Sequence, residues 1–189
     1  MFEIYLIILF LCLVASSLNR VTRHSCLYVY FFVVFSSELL VYLEIIDRSI
    51  YDWLNIMYII FFTWYYMKNE AGQKNTLILV FCLLIIGVIM AKQKELLAIY
   101  QALIYVALAI TWFFKQIKNT DEILIYKKVN FWLSSGLLLW STIYIFRILP
   151  AYFFAKEDHY FLKNTLNEIY QTSVIITYIL FFRGLICKR

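Results

Sequence analysis

The residues best equipped for chemistry in this chain are the few ionisable and amide side chains set inside long apolar runs. Glu38 lies well within one such run, just after Ser36 and Ser37. Glu44 follows about one and a half helical turns later. Arg147 stands close before Pro150, the only proline. Asn55 and Gln101 come early in two further runs. Glu168 and Gln171 open the last one, three apart and so on one helical face. A charged group at the centre of a bilayer costs about 3 kcal/mol on insertion scales, so each is a candidate for handling a ligand or a proton. A lone ionised carboxylate is not stable there, so Glu38 needs a partner or a raised pKa. Arg147 is one choice, and Arg147 with Glu168 is another ion pair within reach of the same reasoning. The hydroxyls of Tyr42, Tyr144 and Tyr178 are available to join the network.

Other chemistry is excluded by what the chain lacks. His24 and His159 are the only histidines. They fall in connections on opposite sides, so neither a multi-histidine zinc site nor a serine–histidine pair can be assembled. Asp47 and Asp52 flank a turn beside Arg48 and read as solvated residues, not as an acid–base pair. No lysine falls within the last apolar run, which removes the Schiff-base chemistry of a retinal protein. Cys12, Cys26, Cys82 and Cys187 show no CxxC spacing and read as free thiols. No cofactor is expected, and no enzymatic activity.

The elements that must position these residues follow from composition. The 189 residues are 64% hydrophobic, 20% aromatic and 15% charged. Soluble domains are about 45–50% apolar and about 25% charged. Mean hydropathy is +0.79. A water-soluble core of this size could not hide so much apolar surface. The chain therefore reads as all-α, a polytopic membrane protein with residues 1–189 in one domain. Seven runs approach the roughly 20 residues needed to cross a bilayer. They cover about residues 2–17, 26–43, 53–67, 76–91, 96–114, 129–149 and 169–186. The third is the weakest, with Asp52 and Asn55 at its start and Trp64-Tyr65-Tyr66 at its end. The small residues Val14-Ala15-Ser16-Ser17 resemble a cleavage region. Met1-Phe2-Glu3 lacks the positive start of a secretory signal, so the first run is expected to remain as a span.

Gly 4 and Pro 1 are low counts, so the helices should be mostly unbroken. Gly87 and Gly136 read as points of close helix contact. Two connections are longer than the others. One covers residues 115–128, with a turn at Asn119-Thr120-Asp121-Glu122. The other covers residues 150–167, where Tyr152-Phe153-Phe154 and Tyr160-Phe161-Leu162 suggest a segment lying at the membrane interface. The larger share of the 17 lysines and arginines falls on the side of the odd-numbered loops and the C-terminus. By the positive-inside rule the N-terminus is outside and the C-terminus cytoplasmic. The net charge of +5 is then the basic flank of a membrane protein, and no nucleic-acid partner is expected. In this topology Glu38, Tyr42, Asn55, Gln101, Arg147, Glu168 and Gln171 share the external half of the bundle. They would line an outward-opening, ligand-binding pocket.

Glu38 follows the aromatic run Tyr28-Val29-Tyr30-Phe31-Phe32. Phe131-Trp132-Leu133-Ser134-Ser135-Gly136 opens the sixth span after Lys127-Lys128, and Asn167-Glu168-Ile169 precedes the last. With the span count and orientation, this local pattern resembles that of seven-helix membrane sensor regions of bacteria, found fused to or encoded beside histidine kinases or transcription regulators. The resemblance implies a non-enzymatic sensor or signalling subunit of the inner membrane. No output domain is expected after Arg189, and the signal is expected to pass to a separate protein. Lys115, Lys118, Lys127 and Lys128 would contact that membrane or cytoplasmic partner. A small proton-coupled transporter or channel working through Glu38, and a structural subunit of a larger complex, are the alternatives.

Overall fold

The computed structural model describes residues 2–19, 26–47, 49–68, 82–87, 89, 94–118, 124–148 and 156–187. Regular structure among them is entirely helical. The helices are α1 (Phe2–Leu18), α2 (Leu27–Tyr42), α3 (Ile50–Met67), α4 (Lys94–Lys118), α5 (Val129–Ile148) and α6 (Lys156–Ile186), with a 3-10 turn at Ile125–Lys127. The fourth apolar run is represented by the helical residues 82–87 and 89. Its remaining positions, the turn at Asn119 to Glu122, His24, Arg48, Pro150 and Tyr152-Phe153-Phe154 lie outside the described residues.

Three helical stretches are long and apolar enough to cross a membrane: Leu96–Lys118, Val129–Ile148 and Asn164–Ile186. α1 and α2 are apolar but have 17 and 16 residues. That is about 25 Å of helix against a hydrocarbon core of about 30 Å. α3 falls short for a different reason. Its 18 residues include Asp52, Asn55, Trp53, Trp64 and four tyrosines, and indole and phenol groups suit the interface better than the bilayer centre.

The last helix differs from its sequence reading. Residues 156–163 belong to α6 and are not a separate interfacial segment. The reason is local: nothing from Lys156 to Arg183 is a glycine or a proline. The helix therefore has no cause to stop before Glu168.

The helices close on one another. α5 packs on α6 and on α4, α1 on α2 and on α6, and α3 on α4. Aromatic rings complete the circuit between α2 and α3, where Tyr30 lies 5.1 Å from Phe61 and 4.9 Å from Phe62. Contacts also fix direction. Phe2 meets Tyr42 and Phe10 meets Phe35, so α1 and α2 are antiparallel. The Tyr105–Trp140 and Phe113–Phe131 pairs set α4 and α5 antiparallel. α3 and α4 run the same way, because Leu97 packs with Ile56 and Ile59 while Tyr105 meets Phe62. Leu83 packs against that same Ile56–Ile59–Leu97 cluster.

Two glycines allow α5 and α6 to approach closely. A Cβ on Gly136 would stand 2.7 Å from the Phe181 ring, and one on Gly184 would stand 2.8 Å from Trp132 Cβ and 3.2 Å from the Val129 carbonyl. Gly87 differs, since its Cβ would meet Ile56 at an ordinary 3.7 Å. Gly184→Ala should therefore lower stability by about 1–3 kcal/mol through overpacking. Gly87→Ala should be neutral or gain up to about 1 kcal/mol from helix propensity. Thermal unfolding of the two variants in the same detergent checks the contrast.

Candidate functional site

The polar side chains collect at one end of the bundle. There α1, α3, α4 begin and α2 and α5 end, and all six helices border a cavity of about 1240 Å³. The turn after α2 helps to enclose it. Ile45 N–H donates to the Leu40 carbonyl and Glu44 N–H to the Val41 carbonyl, with Glu44 left-handed at φ 57°. This pair of bonds is the Schellman arrangement for ending a helix. It brings Glu44, Ile46 and Asp47 into the cavity wall.

Glu38 is the centre of the hydrogen bonding. Tyr5 of α1 donates its hydroxyl to Glu38 Oε1 at 3.2 Å, and Tyr51 of α3 donates to Oε2 at 2.8 Å. Each carboxylate oxygen thus receives a proton donor from a different helix. Among the described residues the carboxylate is satisfied by phenols and not by a cation. Arg147 takes another course: its guanidinium lies over the Tyr170 ring, 4.5 Å from the centroid. Among the described residues neither the Glu38–Arg147 nor the Arg147–Glu168 ion pair forms.

The remaining candidates divide clearly. Tyr42, Asn55, Gln101 and Gln171 line the cavity together with Glu38 and Arg147. Gln101 is buried and donates from Nε2 to the Tyr105 hydroxyl at 2.8 Å, while its Oε1 has no hydrogen-bond partner. Tyr42 is half exposed at the rim and stacks on Phe2. Glu168 is exposed and stands outside the wall. The wall-forming face of α6 follows Asn167, Gln171, Val174 and Tyr178. Glu168 is turned about 100° from Asn167, onto the flank.

The structure adds residues that sequence reading passed over. Tyr5, Tyr51, Tyr58, Tyr105, Trp140 and Tyr170 all border the cavity. A signal existed, in 16 tyrosines within so apolar a chain, but singly each reads as packing or as an interfacial ring. Tyr144 stacks on Trp140 at 5.1 Å. The Tyr178 hydroxyl shares a hydrogen bond with that of Tyr30 at 3.4 Å. Below this level the described residues form a packed core. Phe181 forms part of the cavity wall and packs against Phe31 and Phe62, with Leu9, Leu133 and Leu185 in the same core.

The opposite end is basic. Lys68, Lys115, Lys118, Lys127, Lys128 and Arg183 lie at the helix ends remote from the cavity. Lys128 Nζ donates to Gln116 Oε1, joining the ends of α4 and α5. Arg183 lies 5.9 Å from the Trp132 ring and Lys68 4.8 Å from that of Trp64. The four cysteines are free thiols.

Comparison with protein-family models, with curated proteins and with solved structures gives no match to this chain. Its chemistry must be read from its own geometry.

The tyrosine clamp makes a testable prediction. Tyr51→Phe should cost about 1–2 kcal/mol of stability in the wild-type chain. The same change should cost clearly less in a Glu38→Leu background, where no carboxylate is left to satisfy. A double-mutant cycle on unfolding in detergent measures the coupling; a coupling near zero would show that the contact has no energetic role.

Proposed function

We propose that this chain is a non-enzymatic, multi-pass sensor or signalling subunit of the cell (inner) membrane, which takes a ligand or a partner's external segment into the polar cavity. The observation that carries the reading is the cavity itself: one space, walled by all six helices, rich in polar side chains that are expensive to keep in a membrane. Ligand that contacts so many helices can favour one arrangement of them over another, by its differential affinity for the two. The packed aromatic and aliphatic core beneath Phe181, among the described residues, favours a binding pocket over an open channel.

Seven crossings, with the N-terminus outside and the C-terminus cytoplasmic, belong to the same proposal. Two neighbours that run parallel need one return of the chain between them, and α3 and α4 are such neighbours. The basic end remote from the cavity fits the cytoplasmic face under the positive-inside rule. Lys115, Lys118, Lys127 and Lys128 would there present the change to a separate protein.

Two experiments check this reading. First, in a chain whose native cysteines are replaced, Tyr42→Cys should react with a membrane-impermeant maleimide on intact cells, and Lys118→Cys should react only after lysis. The reverse pattern overturns the orientation. Second, purified protein in liposomes should be screened for small molecules that change tryptophan fluorescence. Glu38→Gln and Arg147→Ala should weaken a hit, with no uptake of it into sealed vesicles. Unchanged affinity in both variants removes the cavity's role. Uptake that Glu38→Gln abolishes would make the protein a transporter.

A further inference from the structure

We propose that the ligand is a protonated amine bearing N–H donors on an apolar or aromatic body, held with its ammonium group against Glu38 and the surrounding ring faces. The inference rests on the reading of the cavity as a ligand site and names the chemistry that site selects.

Three independent features point to a cationic donor. The first is charge. Among the described residues of the wall, Glu38, Glu44 and Asp47 are acidic and Arg147 alone is basic. The second is an acceptor left over. Gln101 is 3% exposed and borders the cavity, and its Oε1 has no partner. A buried acceptor without a donor carries its full desolvation cost, and an N–H from a ligand removes that cost. The third is the ring surface. Tyr58, Tyr105, Trp140 and Tyr178 stand in the wall with Tyr170, and the negative face of an aromatic ring attracts a cation, the more so when water is excluded. The cavity already holds one cation in this manner, the Arg147 guanidinium over Tyr170.

The alternatives fit less well. A quaternary ammonium would use the rings but could not satisfy Gln101 Oε1. A carboxylate would be drawn to Arg147 yet meet the acidic side chains and the electron-rich ring faces. A neutral apolar molecule would leave the unpaired acceptor as it is.

The test uses the full chain in liposomes and four probes of one shape: 2-phenylethylamine, its N,N,N-trimethyl analogue, 2-phenylethanol and 3-phenylpropionate. Binding is read by tryptophan fluorescence against protein-free liposomes, with Trp140→Phe identifying the signal from the cavity. The amine should bind at least about tenfold more tightly than the alcohol or the carboxylate. Glu38→Gln should erase most of that preference. Gln101→Leu should weaken the amine severalfold and leave the trimethyl analogue unchanged. The probe series on the unaltered protein stands even where a variant does not fold. Equal or tighter binding of the alcohol, the trimethyl analogue or the carboxylate overturns the amine assignment. So does the failure of every probe to saturate by about 1 mM, a very weak affinity. A carboxylate that binds tightly and is lost in Arg147→Ala would overturn this proposal while leaving the ligand-site reading intact.

Discussion

A carboxylate inside an apolar bundle must have each of its oxygens met by a donor, and the arrangement around Glu38 answers that demand. Serving the two oxygens from Tyr5 and Tyr51 ties the start of α1 and the start of α3 to the end of α2. Phenol donors differ from a cation in one respect. They stabilise the carboxylate without cancelling its charge, so its electrostatic attraction for a cation remains. An ion pair with Arg147 would have neutralised the site internally.

The tyrosines also explain why the cavity sits at one end and goes no further. A phenol has an apolar body and a polar tip, and such rings can pack into the core while their hydroxyls hydrogen-bond inside it. Tyr30, Tyr105 and Tyr178 are buried at the level where polar wall gives way to the phenylalanines and leucines of the core. Deeper still, Gly136 and Gly184 let α5 and α6 come together. The chain thus grades from a polar end to a tightly packed one, with Lys68, Lys115, Lys118, Lys127, Lys128 and Arg183 beyond the packed end. Such a gradient fits the sensing role proposed above.

Much of this was legible in the sequence, and the reasons for what was not are physical. Apolar runs located α1, α2, α3, α4 and α5 to within a few residues, because burial in lipid and helix formation ask for the same composition. The start of α6 was not legible, since Lys156 to Asn167 is polar and still an unbroken helix former. The common level of Glu38, Asn55, Gln101, Arg147 and Gln171 followed from the alternation of spans alone, and the structure places them around one cavity. Their partners did not follow. Whether a carboxylate meets an arginine or two phenols depends on helix rotation, which a span's composition does not encode. Glu168 shows the same limit: it is one residue from Asn167 in the cavity wall, and helical geometry turns it away.

The central claim is that a polar space, distinct from the lipid, exists inside one end of this bundle. Asn55 and Met57 allow a direct measurement, because they lie two residues apart on α3 with Asn55 in the wall and Met57 exposed on the outer face. In a cysteine-free background in liposomes, a charged, water-soluble thiol reagent should modify Asn55→Cys far faster than Met57→Cys. Equal rates at the two positions, or faster reaction at Met57→Cys, would contradict the account.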